Sequence, residues 1–315
     1  MTIREANKND ISGILNVLKA SLGEQSSNKT IEVWSYKHLE NPFGKSLVLI
    51  AEFEGKIVGV RAFMRWEWKK NNETFKAYRA VDTATHPEFQ GKGVFKRLTL
   101  TALKYAENEG GDFIFNTPNS QSKPGYLRMG WVEVGRLKVS LLPVFSSIFK
   151  SNSHKYTQKI SWTEAGSAKL FHKYNSDLGI SNKLFTPKSK TYLEWRYLKC
   201  PLQKYRIDAC DEYFIAGYVK HHSNFKELRI SELIIGKVNK KLIKSIILNW
   251  AREHNVHFIS FSYPTDIKLL TKLTGNYGPS FTLRCIQESK KITFDFIQLK
   301  NLDNWRYSLG DLELF

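Results

Sequence analysis

The sequence predicts a mixed α/β fold in two domains, each a mixed sheet flanked by helices. Three observations predict it. At 315 residues the chain is longer than one hydrophobic core usually organises. Apolar residues make up 42% of it and aromatics 13%, enough core material to exclude disorder as the default state. The order hairpin, strand, helix, strand, helix, strand also recurs, once in each half of the chain.

In the first half, Thr2 to Ala6 reads as a short strand. It leads to a helix capped near Asp10, with Ile11, Ile14, Leu15, Leu18 and Leu22 on one face. Leu47 to Phe53 and Ile57 to Phe63 are strand runs about the turn Glu54-Gly55-Lys56. A strand from Tyr78 to about Thr85 ends before Pro87, and a Gly-rich turn comes next. The next helix stripes Val94, Leu98, Ala102 and Tyr105 together and stops at Gly110-Gly111. Phe113 to Phe115 is a buried strand, Lys123 to Met129 a short helix, and Trp131 to Val134 another strand. The Ser-rich stretch Ser146 to Ser153 reads as a linker. The expected boundaries are a first domain over 1–145, a linker over 146–155 and a second domain over 156–315.

Beyond the linker, Arg206 to Cys210 and Tyr213 to Val219 flank Asp211-Glu212 as a second hairpin, and Leu228 to Ile235 reads as a strand. Lys240 to His254 is a helix with Ile243, Ile246, Ile247, Trp250 and His254 on one face. His257 to Phe261 is a buried strand, then a short helix, and Phe281 to Ile286 closes the set. The shared order implies a divergent internal duplication whose second copy lacks the Gly-rich turn.

Lys and Arg total 48 against 30 Asp and Glu, a net charge of +18, and the excess is spread over both halves. Such a surface attracts nucleic acid, anionic lipid or phosphorylated small molecules, although soluble proteins that bind none of these also carry it. Cys200, Cys210 and Cys285 make neither a disulfide framework nor a metal-binding pair, and read as reduced thiols of a cytoplasmic protein. No apolar run follows the N-terminal charges, so no secretory leader is expected. The apolar stretch around Leu141 to Phe149 is broken by Pro143, Ser146 and Ser147 and is too short to cross a bilayer.

The segment that carries chemistry runs from Val81 to Leu98: strand, Pro-marked turn, Gly-rich loop, helix. Backbone N–H groups converge at such a helix start, where orphan donors and the macrodipole both favour an anion. Gly91 and Gly93 allow close approach, and Lys92, Lys96 and Arg97 add positive charge. A diphosphate suits the place. The spacing fits neither the P-loop nor the dinucleotide fingerprint.

Here the sequence resembles the GNAT superfamily of acyl-CoA-dependent N-acetyltransferases. Its cofactor loop, Q/R-x-x-G-x-G/A, falls on Gln90, Gly93 and Phe95; the first two match, and Phe95 departs from the usual small residue. The family's later signature falls on Asn119, Tyr126 and Gly130-Trp131. The resemblance covers residues 1 to about 140 and extends, more weakly, to the second half as a degenerate GNAT-like domain of the two-domain type seen among sugar N-acetyltransferases. It implies a GNAT-type sheet and acetyl-CoA as the acyl donor. It implies that coenzyme A is held by the loop residues Gln90, Gly91, Lys92, Gly93, Val94, Phe95 and Lys96. The backbone of Thr83, Ala84 and Thr85 would pair the pantetheine arm, Asn119 would bond that arm, and Tyr126 would act as general acid to the leaving thiolate. On a regular strand Asp82, Ala84 and His86 share a face, so Asp82 is expected to orient the acceptor amine and His86 to relay its proton. A water chain is an alternative base.

Other features read as structure: Glu194-Trp195-Arg196-Tyr197 as core stacking, His221-His222 as a turn, Trp66 and Trp68 as packing. No metal site is expected. The weighed functions are acetyl transfer to a small amine, with a nucleotide-linked amino sugar favoured by the basic surface; transfer to an aminoglycoside, peptide or protein amine; and a non-catalytic RNA-associated module, for which no RNA-binding signature is present. A peptidyl-type aminoacyl transferase is disfavoured by the intact acyl-CoA loop. The second domain is expected to close the acceptor pocket, and the protein to be a monomer or weak dimer without a membrane partner.

Overall fold

The structure, a computed structural model, describes residues 1–23, 28–144, 158–262, 273–286 and 292–312. In chain order it forms β1 (Thr2–Glu5), α1 (Ile11–Leu22), α2 (Ile31–His38), β2 (Leu47–Phe53), β3 (Lys56–Lys70), β4 (Glu73–Thr85), α3 (Val94–Asn108), β5 (Phe113–Asn116), α4 (Lys123–Arg128), β6 (Val132–Arg136) and β7 (Val139–Pro143). Next come β8 (Lys159–Ile160), α5 (Glu164–Ile180), β9 (Leu184–Phe185), α6 (Lys190–Leu193), β10 (Arg206–Cys210), β11 (Tyr213–His221), β12 (Lys226–Ile235), α7 (Lys240–Glu253), β13 (Phe258–Ser262), β14 (Leu273–Gly275), β15 (Ser280–Cys285), α8 (Ile292–Leu299), β16 (Trp305–Arg306) and α9 (Leu309–Leu312). The expected linker stretch Ser146 to Ser153 and the short helix expected after Phe261 lie outside the described residues.

Two compact units emerge. The first is Met1–Trp68, Glu73–Gly135 and Ser280–Leu302; the second is Lys69–Asn72, Arg136–Pro279 and Asp303–Phe315.

The sheet of the first unit has the order β1-β2-β3-β4-β5-β15-β6. Its β2–β3 hairpin turns on Glu54 and Gly55, both at positive φ (49° and 74°), the requirement of a tight hairpin turn whose twist matches the strands. Helix α3 lies directly on β3: a Cβ at Gly59 would stand 2.8 Å from Val94 Cγ1 and 3.0 Å from Leu98 Cδ1. Leu98, Ala102 and Ala106 bury into Phe63, Tyr78, Ile114, Tyr126 and Trp131. Tyr105, expected on that stripe, is 38% exposed instead. The cap at the start of α1 also differs. Asn7 and Asp10 form a capping box on the preceding 3-10 turn, and Asp10 is held by Arg4 at 2.8 Å rather than bonding into α1 itself.

The larger correction concerns which strands belong together. By sequence Phe281 to Ile286 ends the second domain. Residues 280–285 instead pair antiparallel with β5, Thr282 opposite Asn116 and Cys285 opposite Phe113, inside the sheet of the first unit. Phe281 and Leu283 are buried there (1% and 0% exposed), and the Phe281 ring stands 6.0 Å from Phe115. Reciprocally β7, placed by sequence within residues 1–145, pairs with β13 and β14 in the second unit. The chain therefore changes unit after Gly135 and returns to the first unit at Ser280. Strand alternation marks which residues are extended; partners depend on long-range contacts that local pattern does not encode.

The second unit has the sheet order β14-β7-β13-β12-β11-β10-β8, with the β10–β11 hairpin turning at Asp211-Glu212. Helix α7 packs Ile243, Ile247 and Trp250 against Ile215, Leu228 and Ile259. The segment Glu194–Leu198 is a π-helical turn in which Arg196 donates to Gly310 O at 3.0 Å and to Tyr205 Oη at 2.9 Å, a packing role as the sequence suggests. Among the described residues no helix is long and apolar enough to cross a membrane.

Candidate active site

The site is built from the end of β4. This strand pairs in parallel with β5 from Ala77 opposite Phe113 to Arg79 opposite Phe115, then runs on past β5 from Ala80 to Thr85 with β3 on its other side. Its end is kept against β3 by His86 N donating to Val58 O at 2.9 Å. A 3-10 turn over Pro87–Phe89 comes next, and Gln90 Nε2 donates back to Thr85 O at 3.2 Å, closing the loop on the strand.

Gly91 and Gly93 both have φ of 75°, a conformation that side-chain-bearing residues rarely adopt. Gly93 is the N-cap of α3 and offers no side-chain cap. A Cβ at either glycine would meet nothing within 4 Å. The first-turn N–H groups of a 15-residue helix thus open outward beside the exposed Lys92, Lys96 and Arg97. This surface fits a diphosphate: open space, uncapped donors, a favourable dipole and local positive charge.

Phe95, the departure from the usual small residue, is accommodated by Gly125, where a Cβ would lie 2.9 Å from the Phe95 ring. The Phe95 ring stands edge-on to Tyr126 at 5.6 Å. Tyr126 is 4% exposed, and its backbone carbonyl accepts from Met129 N and Trp131 N. Gly130, at φ 89°, makes the turn that brings Trp131 against Tyr126 at 5.2 Å. The Tyr126 hydroxyl accepts a hydrogen bond from Arg61 Nη1 at 2.6 Å; the same Nη1 donates to Thr83 Oγ1. Arg61 is wholly buried, with Phe63 and Tyr126 rings 4.7 and 5.1 Å from its Cζ.

Asp82 does not stand where the sequence places it. Its φ of 39° breaks the strand alternation, so Asp82, Ala84 and His86 do not line one face. The carboxylate, 7% exposed, is held by Lys29 at 2.9 Å, by Lys37 and by His38 Nε2 at 3.0 Å. Burial alone would raise its pKa, but Lys37, His38 and Lys29 outweigh burial and hold it well below the usual carboxylate range. Burial lowers the His38 pKa, and that ring is also fixed by Ser46 Oγ at 2.9 Å. Asp82 is thus a saturated structural anion, not a free base at an acceptor. His86 sits at the strand end, partly exposed, 3.8 Å from Glu88 and edge-on to Phe89 at 6.3 Å.

Asn119 uses its side-chain oxygen to accept from Ser122 N at 2.8 Å and Ser122 Oγ at 2.9 Å, fixing the approach to α4. The structure brings Thr83 and Tyr126 together and sets the loop beside them through Phe95. It does not join Asp82 to either. Sequence reasoning misses Arg61 and the Lys29–Lys37–His38 cluster. Arg61 does carry a signal, a single charge inside the apolar run Val58-Gly59-Val60-Arg61-Ala62-Phe63.

Residues 2–134 match the family model described as an acetyltransferase (GNAT) domain. No curated protein sequence matches the chain significantly. Among solved structures, a GCN5-related N-acetyltransferase from Anabaena variabilis is similar at a TM-score of 0.64 and 14% identity, over 91% of this chain and 73% of that one. A GCN5-related N-acetyltransferase from Kribbella flavida is similar at a TM-score of 0.63 and 15% identity, over 90% and 70%. The fold is therefore a mixed α/β fold similar to solved GCN5-related N-acetyltransferases along nearly the whole chain, and residues 2–134 match a GNAT acetyltransferase domain.

Proposed function

We propose that the protein is an acetyl-CoA-dependent N-acetyltransferase whose coenzyme site lies in the first unit and whose acceptor is a primary amine. The supporting observation is one juxtaposition: an uncapped helix start at Gly93, opened by two left-handed glycines, beside a strand that has left its neighbour and a buried tyrosine. Acetyl-CoA, when bound, supplies an acetyl group activated as a thioester. First-turn N–H groups of α3, with Lys92, Lys96 and Arg97 beside them, hold the diphosphate. Main-chain groups of Thr83, Ala84 and Thr85 offer a free strand edge to an extended arm, and an N–H there polarises a carbonyl oxygen. Asn119 keeps its amide donors for the same arm. Tyr126 holds a proton for a departing sulfur, the role of a general acid to a thiolate leaving group. The amine must arrive neutral, its proton passing to His86 or to water.

The acceptor we favour is an anionic amine, a nucleotide-linked amino sugar, because a chain of net charge +18 attracts a phosphorylated molecule and repels a polycationic aminoglycoside. Thiol release from acetyl-CoA, followed across free amino sugars, nucleotide-linked amino sugars, aminoglycosides and peptides, tests this. Turnover with the nucleotide-linked set is expected; turnover confined to aminoglycosides or peptides overturns the acceptor, and no turnover with failure to bind coenzyme A overturns the function.

A further inference from the structure

Arg61 is a guanidinium with 0% exposure in the middle of an apolar strand. Both hydrogens of Nη1 are spent on hydroxyls, Tyr126 Oη at 2.6 Å and Thr83 Oγ1. Its Nε and Nη2 have no hydrogen-bond partner, and among the described residues no carboxylate pairs with it. Aromatic faces of Phe63, Tyr126 and Phe95, at 4.7, 5.1 and 5.7 Å, are the rest of its company. A buried cation without a counter-ion is costly, and the contrast with Asp82, surrounded by three basic groups, is sharp. Packing alone would be served better by an unbranched apolar side chain such as Met.

We propose that Arg61 is a positioning residue for Tyr126, resting on the function proposed above. An oxygen that accepts from a guanidinium must point its own proton elsewhere, so Arg61 aims the phenol O–H away from the core. It also supplies the charge that the oxygen needs while that proton is away. As the amine nitrogen bonds to the acyl carbon and the carbon–sulfur bond breaks, the electron pair leaves on sulfur. Tyr126 Oη gives its proton to that sulfur, and the resulting phenolate is neutralised by Arg61 through the bond already present. The surplus proton of the acylated nitrogen then passes through water to Oη, restoring the phenol. Because Arg61 is sealed from solvent, it acts through Tyr126 and touches no substrate.

The test is a mutant cycle of Arg61→Met, Arg61→Lys, Tyr126→Phe and the double variant Arg61→Met/Tyr126→Phe. Expected are coenzyme A affinities by calorimetry within about twofold of the parent, kcat for thiol release lowered at least tenfold in Arg61→Met with KM little changed, and partial recovery in Arg61→Lys. The double variant should lose no more than Tyr126→Phe alone, since effects of residues acting as one unit do not add. Ring-labelled tyrosine read by NMR supplies a measure independent of turnover: the Tyr126 Cζ signal, assigned by its loss in Tyr126→Phe, should shift in Arg61→Met and shift less in Arg61→Lys. Multiplied losses in the double variant, or an unmoved Tyr126 signal, overturn the proposal. If Arg61→Met fails to fold, the Lys variant carries the test. A parent that binds no coenzyme A condemns the proposed function instead, whereas a parent that turns over while Arg61→Met keeps its full rate condemns only the role of Arg61.

Discussion

The two units contain the same local construction, a strand that outruns its parallel neighbour and then feeds a helix. β4 pairs with β5 only as far as Arg79 and continues to Thr85; β12 pairs with β13 only as far as Arg229 and continues to Ile235. The connections from strand to helix differ. In the second unit Gly236 is closed in, since a Cβ there would lie 2.7 Å from Glu212 O, and Asn239 caps α7 by accepting from Lys241 N at 2.9 Å. In the first, Gly91 and Gly93 face open space and α3 has no side-chain cap. The released stretch of β12 is also occupied: Glu232 pairs with Lys188 at 2.8 Å and accepts from Tyr197 Oη at 3.1 Å, and Lys188 pairs with Asp311 at 2.7 Å. A departing strand is thus common to both units, and the unsatisfied helix start separates them. The site proposed for coenzyme A is the one where the fold leaves its own polar groups unanswered.

The most direct way to break this comparison is to fill the open start. Gly93→Glu brings a side chain into a left-handed position and a negative charge onto the proposed anion seat. Coenzyme A binding by calorimetry should disappear, while Lys237→Glu, at the matching connection of the second unit, should leave affinity unchanged. Equal losses would put the ligand elsewhere. The tyrosines sharpen the contrast. Tyr126→Phe should slow thiol release by about a hundredfold or more, within the usual range for a general acid, with coenzyme A affinity held. Tyr197→Phe should leave the rate intact and cost stability of about 1–3 kcal/mol, because it deprives the buried Glu232 of a donor.

The closed and open polar groups on either side of β4 give the next largest effect. Asp82→Asn leaves Lys37 buried opposite a neutral amide, and removing one partner of such a cluster costs about 3–5 kcal/mol; chemical denaturation measures it. The shifted groups set the pH dependence. Burial lowers the His38 pKa in the fold, so the unfolded chain takes up a proton first and stability falls as pH drops below about 6.5. The Asp82 pKa is depressed by Lys37, His38 and Lys29 against burial, so its contribution is complete above about pH 4 and is lost as pH falls further through the folded-state value. Asp82→Asn should flatten that most acidic part of the profile. An unchanged acid limb would mean that the carboxylate is not held as the geometry indicates.

Much of the site is legible in the sequence because its parts are local. The glycines, the proline-marked turn and the spacing from Asn119 to Trp131 each report on a short stretch of backbone, and the structure finds the loop, α3 and α4 at those residues. Features set by partners distant in sequence escape. Asp82 looks like a free carboxylate because Lys37 and His38, on α2, are invisible to a reading of β4, and its positive φ defeats the alternation argument. Arg61 needs β3 to lie beside Thr83 and under Tyr126. The exchange of β7 and β15 is hidden for the same reason: apolar alternation identifies a strand and says nothing of its neighbours.

The smallest expected effect bears on the capped start. Asn239→Ala removes the oxygen that answers Lys241 N, and loss of an N-cap costs about 1 kcal/mol; equilibrium denaturation should show that decrease with coenzyme A affinity untouched. The reverse experiment cannot be done at α3, where Gly93 has no cap to lose. If Asn239→Ala proved neutral, the α7 donors would be finding water as readily as a side chain. Self-capping would then not be what silences the second connection, and the crowding of Gly236 against Glu212 would have to bear the whole difference. Combining Asn239→Ala with coenzyme A titration of the second unit's connection in a Gly93→Glu background decides this, since an uncapped α7 that still binds nothing shows that open space around the helix start matters more than free donors.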